Sequence, residues 1–82
     1  MNKEKEKPII TAEQIRAGRG LLGWTIKELS VASTVNVATI GYAETHEDAV
    51  TDKSLQRIKN AFTAEGVKFL PHNGLDLSGR KD

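Results

Sequence analysis

His46 and His72 are the only two histidines, they lie far apart in the chain, and there is no cysteine. Neither imidazole sits in a nucleophile or metal-ligand motif, so each reads as a loop residue, and no catalytic group, metal or cofactor is expected. The chain therefore reads as a binding protein and not an enzyme. Charge offers the next chemistry, because phosphate and acidic partners are met by lysine and arginine. The formal net charge is only +1, so charge alone does not announce nucleic acid. Lys53 is the first basic residue after Lys27, and between them stand Glu28, Glu44, Glu47, Asp48 and Asp52. The middle of the chain is acidic.

At 82 residues, with 38% hydrophobic and 28% charged side chains, the expectation is one small folded domain stabilised by packing alone. No apolar run approaches the roughly 18 residues of a membrane span, and the charged start Met1 to Lys7 lacks the apolar stretch of a signal peptide. A soluble, cytoplasmic protein is expected.

The elements that position its side chains can be placed from caps and periodicity. Residues 1–8 alternate basic and acidic side chains up to Pro8 and read as a flexible charged arm, a solvated tail or one that touches a phosphate backbone. Thr11 with Gln14 forms a capping box that opens a first helix running to about Leu22, with Gly23 as its left-handed stop. Ala12, Ile15, Gly18, Gly20 and Leu22 make its apolar and small face, and the two glycines suggest close approach by another helix. Thr25 with Glu28 repeats the capping box for a short second helix ending near Ser33, with Ile26, Leu29 and Ala32 on one side. After Ser33, Thr34 and Val35, Asn36 caps a third helix through Val37, Ile40 and Ala43 to about Thr45. Two short helices joined by so tight a turn predict a helix-turn-helix. His46 to Val50 reads as a polar loop, and Thr51 caps a fourth helix carrying Leu55, Ile58 and Phe62 inward until Gly66. Beyond it the period changes to two: Val67 and Phe69, a turn from Pro71 to Gly74, then Leu75 and Leu77, with 78–82 frayed. The predicted fold is thus mainly α, a compact bundle of about four short helices containing a helix-turn-helix over 9–66, followed by a C-terminal β-hairpin and tail over 67–82.

The run Arg19-Gly20-Leu21-Leu22-Gly23-Trp24-Thr25, then Glu28-Leu29, Val35-Asn36, Thr39-Ile40 and Glu44, resembles the XRE family of lambda-type repressor and Cro domains over roughly Thr11 to Phe62. In such domains the third helix enters the DNA major groove and the start of the second meets phosphates. The resemblance implies a largely buried ion pair between Arg19 and Glu44, with two separate surface charges as the plain alternative. Leu29 and Ile40 are core on either reading, and Trp24 is packing. The family's base-facing positions fall on Val37, Ala38, Gly41 and Tyr42. Asn36 and Thr39 can reach phosphate at the helix start, although Asn36 is also an ordinary cap, and Lys27 is the best phosphate contact among Arg16, Lys27 and Lys53.

Departures from the family pattern carry equal weight. Ile26 stands where a glutamine usually contacts DNA, Thr34 where the turn usually has glycine, and Ala43 where a bulkier apolar residue is usual. Thr34 is strained if its backbone requires positive φ. None of the base-facing residues is arginine, lysine, glutamine or asparagine, so direct readout is weak: Val37 and Ala38 can meet thymine methyl groups, and Tyr42 can hydrogen-bond a phosphate. The expected function is a sequence-specific DNA-binding transcriptional regulator, a repressor-type homodimer on double-stranded DNA, associating through helix four and the hairpin. The alternative is a protein-interaction module, an antitoxin or a modulator of another repressor, suggested by the acidic middle and by an apolar patch if Ile26, Val37 and Tyr42 are exposed together.

Overall fold

A computed structural model describes residues 8–70 and 73–77; the charged arm 1–7, Pro71, His72 and the tail 78–82 lie outside the described residues. Four helices run in order, α1 (Ala12–Leu22), α2 (Ile26–Ser33), α3 (Val37–Ala43) and α4 (Asp52–Ala64), followed by strands β1 (Lys68–Phe69) and β2 (Leu75–Asp76). The strands pair antiparallel, Lys68 opposite Asp76 and Phe69 opposite Leu75.

The caps explain why the helices begin where they do. Thr11 Oγ1 accepts from the Gln14 N–H at 3.1 Å while Gln14 Oε1 accepts from the Thr11 N–H at 3.1 Å. Thr25 and Glu28 repeat the exchange at 3.0 and 2.8 Å. Each box satisfies two N–H groups that no helical carbonyl reaches. Asn36 and Thr51 cap α3 and α4 singly, accepting from Thr39 and Ser54.

Two helix ends share one device. Gly23 at φ 67° and Gly66 at φ 90° each end a helix left-handed. The next N–H returns five residues, Trp24 to the Arg19 carbonyl at 2.9 Å and Val67 to the Phe62 carbonyl at 3.2 Å. This is the Schellman arrangement, and it turns the apolar residue that follows toward the core. Val67 is buried, and the Trp24 ring lies 6.0 Å from that of Phe62.

Ile10, Ile15, Leu29, Val35, Ile40, Ala43, Leu55, Ile58, Ala61, Phe62 and Val67 form the core, so every helix contributes, as does the chain on either side of the bundle. The hairpin is not isolated: Phe69, Leu75 and Leu77 pack on this cluster, half-buried, and Lys59 Nζ stands 5.3 Å over the Phe69 ring. A two-stranded ribbon this short needs such support.

Several sequence expectations change. α3 stops at Ala43, short of Thr45: the Thr45 N–H tightens onto the Tyr42 carbonyl three residues back at 3.1 Å, and His46 leaves helical geometry at φ −141° and ψ 72°. The loop after it contains a 3-10 turn, Glu47–Ala49. Glu47 Oε1 accepts from the Ala12 N–H at 2.8 Å, adding a distant carboxylate to the start of α1. On α2 the inward face runs through Ile26, Leu29 and Ser33, while Ala32 is exposed. Buried Ser33 is satisfied because its Oγ donates to the Leu29 carbonyl at 2.7 Å and accepts from the Val35 N–H at 3.2 Å. Gly18 makes the expected close approach, against Phe62, whereas nothing lies within 4 Å of a Cβ placed on Gly20.

Thr34 occupies the left-handed end of α2 at φ 59° and ψ 28°, its N–H returning to the Ser30 carbonyl at 2.9 Å. A β-branched residue is disfavoured there. Thr34 Oγ1 donates to the Ser33 carbonyl, which offsets part of the cost. Thr34→Gly is therefore expected to stabilise the protein by about 0.5–1 kcal/mol, the relief of left-handed strain less glycine's extra chain entropy. Thermal unfolding checks this, and a lower midpoint would show that the hydroxyl contact outweighs the strain.

Candidate nucleic-acid interface

α2 and α3 are joined by Thr34, Val35 and Asn36. Val35 is buried and plugs the corner between the helices, while Thr34 bends the chain. α3 then faces two ways. Ile40 and Ala43 are fully buried, whereas Val37 is 48% exposed, Tyr42 is 58% exposed, and Asn36 and Ala38 are exposed with them. Gly41 and Thr39 are half-buried, and nothing lies within 4 Å of a Cβ placed on Gly41.

Arg19 and Glu44 fix this helix pair to α1. Arg19 Nε donates to Glu44 Oε2 at 2.6 Å and Nη2 to Oε1 at 3.1 Å, a two-pronged pair, while Nη1 donates to the Trp24 carbonyl at 2.9 Å. The hydrogen bond with Glu44 raises the Arg19 pKa above its ordinary value, against a desolvation that lowers it, and the Glu44 charge adds to the rise. The Glu44 side chain is 9% exposed and that of Arg19 24%. The carboxylate end is thus buried and the guanidinium end reaches water. Arg16, on α1, donates through Nη1 to the Glu44 backbone carbonyl, so it braces the end of α3.

Lys27 and Lys53 are exposed at the starts of α2 and α4. Ile26 is half-buried against the core, so it joins no exposed patch with Val37 and Tyr42. Asn36 Oδ1 accepts from the Thr39 N–H at 2.9 Å, which commits its carbonyl to the cap.

Two features beside α3 go beyond the sequence expectations. The Tyr42 and His46 rings lie 5.8 Å apart, and Thr45 Oγ1, which donates to the Tyr42 carbonyl at 3.1 Å, stands 2.9 Å from His46 Nδ1. An open groove of about 480 Å3 runs between α3 and the start of α4, lined by Ala38, Thr39, Tyr42, Ala49, Val50, Thr51 and Ser54. Its second wall depends on how the 3-10 turn folds back, which no local pattern encodes. Among the described residues no cluster of His, Asp or Glu could hold a metal ion, and no helix is long and apolar enough to cross a membrane.

No protein-family model, curated protein or solved structure matches the chain.

Proposed function

We propose that this protein is a cytoplasmic DNA-binding transcriptional regulator of the phage-repressor type, a homodimer without catalytic activity. The observation that supports it is the two-faced α3: Ile40 and Ala43 anchor the inner side, and Val37, Ala38 and Tyr42 are exposed on the outer. A short helix braced from behind and open in front suits insertion into the major groove. Val37, Ala38, Gly41 and Tyr42 face the bases in this reading, and Lys27, Asn36 and Thr39 face the phosphates.

Few cations serve that surface, because Arg16 is turned to the Glu44 carbonyl. Two to four phosphate contacts per subunit give a slope of log K against log salt of roughly −2 to −4, at about −0.9 for each phosphate. Lys27→Ala is expected to weaken binding to all duplexes alike and to flatten the slope by about one unit. Titrating the DNA upstream of its own gene and a scrambled duplex at two salt concentrations tests both statements. Equal, weak binding to the two would favour the second reading.

That second reading is a protein-interaction module, an antitoxin or a modulator of another repressor. Its support is specific: the outer face of α3 is apolar, Val31 on α2 is 74% exposed, and the neighbouring turn carries Glu47 and Asp48.

Self-association is assigned to α4 and the hairpin, where Leu70 is 43% exposed beside half-buried Phe69, Leu75 and Leu77. Deleting the chain from Lys68 onward should yield a monomer or an unstable protein, because Phe69, Leu75 and Leu77 leave with it. A truncated protein that sediments as a dimer at micromolar concentration would contradict this.

A further inference from the structure

Three polar side chains around α3 are committed within the protein. Asn36 Oδ1 already accepts from the Thr39 N–H, so its carboxamide cannot offer adenine the paired donor and acceptor without weakening the cap. Thr45 Oγ1 is engaged with the Tyr42 carbonyl and His46, and the Arg16 guanidinium with the Glu44 carbonyl. What the outer face offers is chiefly methyl groups, those of Val37 and Ala38, with the Tyr42 ring and open backbone at Gly41. The adjoining groove adds the methyl groups of Ala49 and Val50 beside the hydroxyl-bearing residues Thr39, Thr51 and Ser54.

Apolar contact on a base edge in the major groove is offered by the C5-methyl group of thymine. 5-Methylcytosine carries a methyl at the same ring position, while uracil has thymine's hydrogen-bonding edge without it. The hydrogen-bonding side chains left on that face, Tyr42 and Thr39, carry hydroxyls that both donate and accept, so the surface is nearly indifferent to whether the neighbouring edge atom is the O4 acceptor or the N4 donor. It responds to the presence of the methyl.

We infer that α3 discriminates among duplex sequences through the pyrimidine C5-methyl group, reading thymine and 5-methylcytosine alike and rejecting uracil and cytosine at the same positions. The inference rests on the DNA-binding reading above and names the feature read. It makes binding sensitive to cytosine methylation of the target.

The test uses the full chain. A randomised duplex library is selected for binding, and the winning duplex is resynthesised with each thymine in turn replaced by uracil, by cytosine paired with guanine, or by 5-methylcytosine paired with guanine. At contacted positions uracil should weaken binding about fourfold, the equivalent of one buried methyl-sized group. Cytosine should weaken it at least as much, and 5-methylcytosine should restore it to within about twofold of thymine, since only the methyl is recovered. Val37→Ala, confirmed folded by circular dichroism, should shrink the thymine-to-uracil ratio at one position and leave it elsewhere. Equal affinity for thymine and uracil duplexes at every position would overturn the methyl reading while leaving DNA binding in place. Failure of any duplex to be enriched or bound would overturn both.

Discussion

Glu44→Ala is expected to destabilise the protein by about 3 kcal/mol, the low end of what breaking a buried ion pair from one side costs. The Glu44 side chain is 9% exposed and takes two of Arg19's donors, so its loss strands a guanidinium built to meet it. The low end applies because the Arg19 side chain is 24% exposed and keeps the Trp24 carbonyl, which lets water replace part of what is removed. For a domain of this size about 3 kcal/mol lowers the unfolding midpoint by more than about 10 °C. Joint replacement, Arg19→Met with Glu44→Leu, should recover much of the loss, because no charge is then left without a partner. Thermal and urea unfolding of the parent and the two variants measures this. An unchanged midpoint for Glu44→Ala would remove the pair from the account of stability.

Alanine should act in opposite directions at two glycines of the same helix. A Cβ on Gly18 would lie 2.7 to 2.9 Å from three atoms of the Phe62 ring. That ring is fully buried between Trp24 and Phe69, so it cannot swing away as a long side chain would. Overpacking of this kind costs about 1–3 kcal/mol and outweighs the roughly 1 kcal/mol that alanine gains over glycine in a helix. Gly18→Ala is expected to lose up to about 2 kcal/mol and Gly18→Val more. At Gly20 no atom lies within 4 Å of the added Cβ, so Gly20→Ala should instead stabilise by about 1 kcal/mol. Urea midpoints of the two alanine variants should straddle the parent's. Movement of both in one direction would contradict the packing of α1 on α4.

Helix starts were legible in the sequence because a cap is a local device. Thr11 with Gln14, Thr25 with Glu28, Asn36 and Thr51 each satisfy N–H groups within three residues of themselves. Gly23 and Gly66 were legible for a similar reason, since a left-handed end favours the residue without a Cβ. The end of α3 was not: Thr45 and His46 carry no stop signal, and the Arg16 side chain reaches the Glu44 carbonyl from another helix. Ala32 and Ser33 exchanged places for a related reason. The periodicity allowed Ala32 inside, whereas the packed helix buries Ser33, whose hydroxyl is satisfied by the Leu29 carbonyl.

The chain by itself determined the number and order of the helices, the helix-turn-helix link and the poverty of hydrogen-bonding groups at Val37, Ala38 and Gly41, because each depends on residue type and near neighbours. Tertiary structure alone decided which glycine of α1 meets Phe62, how fully the Arg19 and Glu44 charges leave water, and where Ala49 to Ser54 wall a groove beside α3. Those outcomes depend on distances between segments far apart in sequence. Such distances follow from the packing of the whole core, and no short pattern of residues specifies them.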